Sequence, residues 1–401
     1  MKFMKHARTA VLALSVGMVW AMPAGAATPG VSKDEIRIGQ TMAYSGPVSA
    51  YGQYGKAHAA YFQMLNDQGG INGRKVTLIS LDDAYSPPRT IEQVRRLVER
   101  DQVLALFQNL GTASNTAIQR YIGARKIPNL FVISGDSKWN DAEAYPFSTG
   151  WQPSNQTEAR VYAKHILATQ PDARIAVLYQ NDDYGKDALE GFKDELGDKV
   201  SQIVAASSYE VTDPTVDSQI VAFKAADADV FFSITTQKFA AQAIRRAYDI
   251  GWHPTQYLNS LAASVGAVLE PAGLEKSVDI ISVAYLKDPT DPLWKEDPAM
   301  KDYLEFMGKY LPGANVYDSM NVFGYSAAQT LAHVLEQCGD DLSRENLMRQ
   351  ATSIKGLQLP MALPGILINT TPAQRTALRS VQLARFDGQA WQLFGDVIST
   401  D

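Results

Sequence analysis

Residues 36–83 read IRIGQTMAYSGPVSAYGQYGKAHAAYFQMLNDQGGINGRKVTLISLDD, and this stretch decides the fold class. Ile36–Ala43 and Val76–Asp83 are aliphatic runs without clean two-residue alternation, and Tyr51–Gln68 between them is long enough for a helix. Strands that are apolar on both faces are typical of a parallel sheet covered by helices. The stretch therefore predicts one right-handed βαβ unit.

The same alternation continues in two consecutive halves, separated by a composition break at 141–152. In the first half it predicts Pro88–Asp101 and Ala113–Arg125 as helices and Val103–Leu110 and Asn129–Ser134 as strands. In the second half it predicts the strands Arg174–Gln180, Val200–Ser208, Asp229–Ile234 and Tyr257–Asn259, and the helices Gly185–Leu196, Val216–Ala226 and Phe239–Ile250. The predicted fold class is α/β, with two consecutive halves that each hold a parallel central sheet.

A third part of the chain differs in character. It predicts the strand Ile280–Leu286 and the helices Met300–Tyr310, Ser319–Gln337 and Ser343–Ser353, with Ser343 as N-cap. It ends in a predicted hairpin over 380–397, where Asp387-Gly388 favours a type I′ turn.

Length and composition narrow the class of protein. With 401 residues the chain is long enough for two lobes, and 46% hydrophobic against 20% charged residues indicates a folded protein. A net charge of −6 without a basic run argues against nucleic acid or an anionic membrane as partner. The single cysteine, Cys338, excludes an intrachain disulfide and a thiolate zinc cluster.

The N-terminus has the pattern of a secretory signal peptide. Lys2, Lys5 and Arg8 precede a short apolar stretch over 11–21, and Ala24-Gly25-Ala26 supplies a small-residue cleavage site. We expect cleavage before Ala27, so that residues 1–26 are removed and the protein is exported.

Motifs for catalysis are absent. The sequence holds no GxSxG elbow, no phosphate-binding GxxxxGK[ST] loop, no HExxH and no GxGxxG after the first strand. Asp82-Asp83 lies at the end of a predicted strand. The two carboxylates could bind a metal, but a role in capping the next helix is favoured. We therefore expect no enzyme activity, no metal and no cofactor.

Polar and aromatic residues recur where the predicted strands end, the edge at which open parallel sheets bind ligands. These segments are 44–47 leading to Tyr51, Gly111–Ser114, Ser134–Trp139, Asn181–Gly185 and Thr235–Gln237. Gly111–Ser114 opens a helix whose free N–H groups favour an anion. Together the segments predict a cleft that holds a small polar molecule.

Four motifs resemble the periplasmic branched-chain amino-acid-binding family, the type I solute receptors of ABC importers. They are Tyr44-Ser45-Gly46-Pro47, GGINGRK at 69–75, NDDYG at 181–185 and LPGI at 363–366. The resemblance covers essentially all of the chain after the signal peptide. It implies two Rossmann-like lobes joined by three crossover strands, with residues 27–150 plus 283–362 in lobe 1 and 151–282 plus 363–401 in lobe 2. It also implies a periplasmic monomer that delivers a ligand to an ABC permease of the inner membrane.

The resemblance also implies roles for individual residues of the cleft. Tyr51 and Tyr184 match aromatic walls, Thr112 and Ser114 the segment that holds the ligand carboxylate, Asp136, Ser137 and Lys138 the next loop, and Thr235 and Gln237 the edge of the second lobe. Tyr209 and Tyr285 either widen this aromatic pocket or pack at strand ends.

One departure from the family bears on the ligand. Amino-acid binders neutralise the ligand ammonium with an acid in the loop that here reads Leu258 to Ala263 around Ser260, and this loop holds none. A desolvated ammonium without a counter-charge is costly. We therefore favour an aromatic or aliphatic organic acid, with a branched-chain amino acid as the alternative. A ligand-sensing regulatory module is the rival function. An exported hydrolase is a third possibility, for which no nucleophile and base are found.

Overall fold

The computed structural model describes residues 28–399. The predicted signal peptide lies outside the described residues. Within 28–399 no helix combines the length and the apolar character that crossing a membrane requires.

The first sheet has five strands, all parallel, in the order β2-β1-β3-β4-β5. The strands are β1 (Glu35–Met42), β2 (Lys75–Asp82), β3 (Ala105–Phe107), β4 (Asn129–Val132) and β5 (Ser148–Gly150). The helices α1 (Gly52–Asp67), α2 (Pro87–Arg95) and α3 (Thr112–Arg125) connect the first four. Every residue of β3, β4 and β5 is buried, as expected for strands covered on both faces.

The second sheet has seven strands in the order β12-β11-β10-β9-β8-β6-β7. These are β6 (Ile175–Gln180), β7 (Ile203–Tyr209), β8 (Val230–Ile234), β9 (Thr255–Leu258), β10 (Ile281–Ala284), β11 (Ser380–Phe386) and β12 (Trp391–Ser399). The helices around it are α4 (Asn155–Thr169), α5 (Asp183–Leu196), α6 (Asp217–Ala225), α7 (Gln237–Asp249) and the short α8 (Glu270–Ala272). Pairing is parallel from β7 to β10 and antiparallel for β11 and β12.

Three helices of the third part return to the first sheet and complete the first lobe. They are α9 (Pro298–Tyr310), α10 (Ser319–Gln337) and α11 (Arg344–Ala351). Gly324 of α10 lies so close to α1 that an added Cβ would stand 2.7 Å from the Cβ of Ala57. The Arg344 guanidinium donates 2.8 Å hydrogen bonds to the carbonyls of Val103 and Leu104.

Three segments cross between the lobes, and one lies elsewhere than predicted. The first follows β5 and the second follows β10, where the N–H of Leu363 donates to the carbonyl of Tyr285. Residues 366–376 still contact the first lobe, because Arg375 donates to the carbonyl of Pro146 at 2.8 Å. The chain then pairs with the first crossing through Ala377, whose N–H donates to the Gly150 carbonyl. We therefore place the third crossing at 377–379 and not at residue 363.

Two further details differ from the sequence expectation. β5 and α4 lie in or directly after the composition break and had no predicted counterpart. The hairpin of β11 and β12 is present, but its turn is shifted by one residue. The N–H of Asp387 donates to the Ala390 carbonyl, and Gly388 has a φ of 99° while Asp387 does not have a positive φ. This places Gly388-Gln389 at the centre of the turn, with the glycine in the position typical of type II′.

Candidate functional site

The N-terminus of α3 forms one wall of a cavity between the lobes. Thr112 begins this helix, and its hydroxyl lies 2.7 Å from that of Ser134, which accepts a 2.8 Å hydrogen bond from the Trp139 indole. Gly111 has a φ of 95°, and a Cβ there would stand 2.6 Å from the Tyr85 ring. The first N–H groups of a helix lack partners within it and its dipole is positive at this end, so this wall favours an anion.

Tyr184 and Thr236 of the second lobe form the facing wall. The Tyr184 ring is buried, and the Thr236 N–H donates to the Tyr209 hydroxyl at 2.9 Å, so Tyr209 supports this wall. We call the space between the walls the polar cavity, and it measures about 30 Å³ as the space open to the centre of a water molecule. Its lining consists of Tyr51, Tyr85, Leu110, Gly111, Thr112, Ile133, Ser134, Gly135, Tyr184, Thr236 and Leu261.

Two predicted residues of the second lobe lie beside this cavity and do not line it. The Thr235 hydroxyl lies 2.8 Å from the Ser233 hydroxyl. Gln237 begins α7. The Gln237 side-chain amide is buried and has no partner within the described residues. Thr236, between the two, is the cavity residue that the sequence reasoning included only as part of a range.

Ser114 is also not in the cavity lining. It lies on α3, and its hydroxyl is 3.0 Å from that of Thr90 on α2. The Thr90 hydroxyl in turn lies 2.8 Å from the Asp83 carboxylate. One helical residue separates Ser114 from Thr112, which turns it toward α2. The Ser114 hydroxyl therefore contacts α2, whereas Thr112 of the same predicted segment lines the polar cavity.

Asp136, Ser137 and Lys138 bridge the lobes instead of lining the polar cavity. The Ser137 hydroxyl donates to the Asp187 carboxylate of α5 at 2.6 Å, and its N–H donates at 3.2 Å. The Lys138 ammonium lies 2.8 Å from the Asp183 carboxylate and 3.2 Å from that of Asp136. Lys138 is thus already paired with two carboxylates. We call this contact the α5 latch.

A second contact joins the lobes at the N-terminus of α10. The Ser264 hydroxyl donates to the Asp318 carboxylate at 3.2 Å, and the Gly266 N–H donates to the Tyr317 carbonyl at 3.0 Å. We call it the α10 latch. With both latches made, the cleft is closed in this structure.

Glu158 on α4 is the site residue that the sequence reasoning missed. Its carboxylate accepts hydrogen bonds from the N–H and hydroxyl of Ser260, at 2.6 and 2.7 Å, and from the Tyr162 hydroxyl at 2.8 Å. It is buried, which raises the pKa of Glu158. A signal was present, because Ser154 caps α4 by accepting from the Thr157 N–H, and Ser after Pro followed by apolar residues at helical spacing predicts a helix start.

Glu158 borders a smaller space, which we call the Glu158 cavity. It measures about 10 Å³ by the same criterion and is lined by Asn155, Glu158, Ala159, Tyr184, Ala188, Phe232, Ile234, Asn259 and Leu261. Nδ2 of Asn155 is a buried donor with no partner within the described residues. Tyr184 and Leu261 line both this cavity and the polar cavity, so the two spaces are neighbours.

The latches predict that closure takes up protons. Burial, together with the charge of Asp136, raises the pKa of Asp187 to about 6, and burial raises the pKa of Asp318 to about 6. In an open cleft both carboxyls face water, and their pKa values return to about 4. Protonation therefore favours the closed form, and this advantage is lost as the pH rises through about 6. Ligand affinity is expected to rise by about tenfold per group from pH 7 to pH 5.

Calorimetric titrations at the two pH values check this, with Asp187→Asn as the matched variant. Asparagine still accepts from Ser137 but does not titrate, so its pH dependence is expected to be about tenfold smaller. An equal pH dependence in both proteins would contradict the assignment.

The described residues offer little for metal or acid–base chemistry. The Asp82 carboxylate accepts from the N–H groups of Tyr44, Ser45 and Ala84, so it caps a loop. Among residues 28–399 no group of three or more His, Cys, Asp or Glu residues has the geometry to hold a metal. Burial raises the pKa of Cys338 to about 12, so it is a neutral thiol at physiological pH.

Comparison with known proteins gives a consistent set of similarities. The profile of the family described as periplasmic binding protein matches residues 35–390. A Leu/Ile/Val-binding protein homolog 7 of Brucella abortus is 22% identical over 338 residues, covering 82% of each chain. The crystal structure of a branched chain amino acid ABC transporter from Thermus thermophilus with bound valine has a TM-score of 0.83 at 15% identity, over 92% of this chain and 97% of that one. A solute binding protein from R. palustris in complex with 4-hydroxybenzoate has a TM-score of 0.76 at 16% identity, over 92% and 98%.

Proposed function

From the premise that this chain belongs to the periplasmic binding protein family, we propose that it captures a small carboxylate between its lobes for an ABC-type importer. The observation that carries the proposal is the polar cavity, where the N-terminus of α3 and the hydroxyls of Thr112 and Ser134 face Tyr184. Backbone N–H groups and hydroxyls bind a carboxylate by charge-assisted hydrogen bonds. Because the ligand contacts both lobes only when they are closed, its differential affinity drives closure.

An aromatic or aliphatic organic acid is the ligand class that we favour. Glu158 is the only acid among the residues that line the polar and Glu158 cavities, and its oxygens already accept three hydrogen bonds within the second lobe. Burial raises its pKa, which favours the neutral form and reduces repulsion of a ligand carboxylate. The complex of a structural neighbour with 4-hydroxybenzoate supports an organic acid.

A branched-chain amino acid is the second candidate, and Glu158 is also the observation that favours it. A carboxylate bordering the cleft, beside the unpartnered Nδ2 of Asn155, would offset a ligand ammonium if it gave up one of its present donors. The valine bound to a structural neighbour supports this candidate. Both candidate ligands carry a carboxylate. They differ in whether an ammonium group of the ligand is paired with Glu158.

Transport rather than chemistry is the role that the site supports. We propose that the protein works in the periplasm as a monomer, that its partner is an inner-membrane permease, and that it needs no cofactor and alters no bond of the ligand. A sensing module would share the cleft, so growth on the identified ligand with the gene deleted separates transport from sensing.

A thermal-shift panel on residues 27–401 tests the proposal. It compares leucine, isoleucine and valine with their deaminated acids and with benzoate and 4-hydroxybenzoate. A ligand at about 100 times its dissociation constant adds about 2.7 kcal/mol to the free energy of unfolding. We expect a raised midpoint with acids that lack the amino group. A shift with leucine or valine alone would select the second candidate, and no shift with any carboxylate would contradict both.

The anion site gives a further prediction. Replacing Thr112 by valine and Ser134 by alanine removes both hydroxyls and is expected to weaken carboxylate binding by about 1–3 kcal/mol, measured by titration calorimetry. Ser114→Ala is the matched control, because its hydroxyl contacts Thr90 instead, and its affinity is expected to stay within about twofold of the wild type. Equal losses of affinity in the double variant and the control would show that the anion site lies elsewhere.

A further inference from the structure

A larger space, with a mostly apolar lining, lies next to the polar cavity. We call it the apolar cavity, and it measures about 80 Å³ as the space open to the centre of a water molecule. Its apolar walls come from Tyr54 and Phe323 of the first lobe, Tyr285 of a crossing segment, and Leu261, Trp391 and Leu393 of the second lobe. Both lobes and the crossing contribute to it, so this space is complete only when the cleft is closed.

The charged groups at the edge of this cavity already have partners. The Lys287 ammonium lies 2.7 Å from the Asp297 carboxylate and 5.2 Å from the centre of the Trp294 ring. The Asp288 carboxylate accepts from the N–H and the hydroxyl of Thr290, and Asp291 accepts from the Leu293 N–H and caps a short turn. The cavity therefore does not demand a charged occupant, and its walls favour an apolar one.

Leu261 separates the three spaces. Its side chain lines the polar cavity, the Glu158 cavity and the apolar cavity alike. Beside it, the rings of Tyr51 and Tyr54 stack with centres 5.9 Å apart, and the first borders the polar cavity while the second borders the apolar one. Leu261 is thus the one residue that lines all three spaces, and two stacked rings stand beside it between the polar and apolar cavities.

The turn that carries Leu261 is held on both sides. Ser260 is bound to Glu158, and the carbonyl of Ala263 accepts a 2.9 Å hydrogen bond from the Trp391 indole. The backbone of this turn is therefore fixed, whereas the Leu261 side chain is only partly buried and makes apolar contacts. A change of its rotamer would join the polar and apolar cavities without moving the backbone.

The volumes limit what the polar cavity holds alone. One water needs about 10–15 Å³ by this measure, so 30 Å³ holds two or three waters or one carboxylate group, but not a ligand of ten or more heavy atoms. The remaining atoms of such a ligand need space that the apolar cavity supplies.

We propose that the ligand is an elongated acid whose carboxylate lies at Thr112 and whose apolar tail passes Leu261 into the apolar cavity, with Leu261 as the residue that sets tail length. This inference rests on the proposed function and names its ligand class: acids in which several carbon atoms separate the carboxylate from a terminal apolar or aromatic group. Each methylene buried in the apolar cavity raises affinity by about fourfold.

The test is a series of acids with one phenyl group and a growing linker, from benzoate through phenylacetate and 3-phenylpropionate to 4-phenylbutyrate. Dissociation constants are measured by titration calorimetry with the whole mature chain. Wild-type affinity is expected to rise by about fourfold per methylene toward the longer members. Affinity that is highest for benzoate and falls along the series would overturn the inference and leave the proposed carboxylate receptor standing. No binding of any acid would contradict the proposed function itself, and the inference with it.

Filling the apolar cavity gives the second arm. Ala263 is half-buried and lines the apolar cavity but not the other two. Ala263→Leu is expected to lower the affinity for 4-phenylbutyrate at least tenfold relative to that for benzoate. Ala299→Leu, at a half-buried alanine that lines none of the three cavities, is the matched control and is expected to leave this ratio unchanged. Equal ratios in both variants would overturn the inference.

A third variant keeps the test decisive if Ala263→Leu does not fold. Leu261→Ala opens the partition, so the affinity for 4-phenylbutyrate relative to benzoate is expected to rise. An unchanged or lower ratio, with the unliganded melting temperature of the wild type, would overturn the role of Leu261.

Discussion

Replacing Tyr184 by alanine is expected to lower ligand affinity about 100-fold. Tyr184 is buried in the first turn of α5 and lines both the polar cavity and the Glu158 cavity, so it contacts a ligand in either position. Buried aromatic residues at the centre of a contact surface typically contribute about 2–4 kcal/mol to binding. Titration calorimetry with the acid that gives the largest thermal shift measures the loss.

Tyr184→Phe is the matched control for this variant. The Tyr184 hydroxyl lies 3.5 Å from the Thr235 carbonyl, a weak contact, so the ring accounts for most of the effect and phenylalanine is expected to stay within about threefold of the wild type. The unliganded melting temperature of each variant shows whether the second lobe is still folded. If a folded Tyr184→Ala protein kept its ligand affinity, Tyr184 would not be part of the binding site.

Replacing Glu158 by alanine is expected to lower the free energy of unfolding by about 3 kcal/mol. The change leaves the N–H and the hydroxyl of Ser260 without their acceptor in a buried setting, whereas the Tyr162 hydroxyl keeps the Leu258 carbonyl at 2.9 Å. Unpaired buried donors are costly. It also empties part of the space next to Leu261. Denaturant unfolding of the unliganded protein measures the effect, and a loss below about 1 kcal/mol would mean that Glu158 has no supporting role.

Glu158→Gln separates the two ligand classes, because it keeps the volume and an acceptor oxygen but removes the charge. For an organic acid, affinity is expected to stay the same or rise, since a negative group leaves the vicinity of the ligand. For an amino acid, the loss of a buried counter-charge costs about 2–5 kcal/mol. A large loss with leucine would show that the acid lacking in the loop around Ser260 is supplied by α4.

The two α/β halves were predictable because strand and helix signals are local. A run of β-branched and aliphatic residues, or a helix cap, can be recognised from a short segment of the sequence without knowledge of the rest of the chain. Ser319–Gln337 was predicted with the bounds that α10 has, and the Ser343 hydroxyl accepts from the Asn346 N–H as an N-cap does. The handedness of the crossovers limits the strand orders that each half can adopt but does not fix one of them.

Tyr51, Thr112 and Tyr184 were also predictable as a group, since all three follow strand ends of a parallel sheet and line the polar cavity. Ser114, Thr235 and Gln237 were drawn from the same segments but lie beside it. A sequence motif identifies a segment near the cleft. It does not show which residue of that segment faces the cleft and which neighbours contact other helices and strands.

The α/β class, the two halves and the ends of the strands could be inferred from local patterns in the sequence. Three features required the folded chain: the contact of Glu158 with Ser260 across 102 positions, the bridges from Ser137 and Lys138 to α5, and the position of Leu261 between three cavities. The difference lies in how far along the chain the interacting groups are separated. Helix and strand formation depend on hydrogen bonds and side-chain spacing along a short segment, so they leave a local pattern. Cavities, latches and buried hydrogen bonds depend on which distant surfaces meet when the two lobes close.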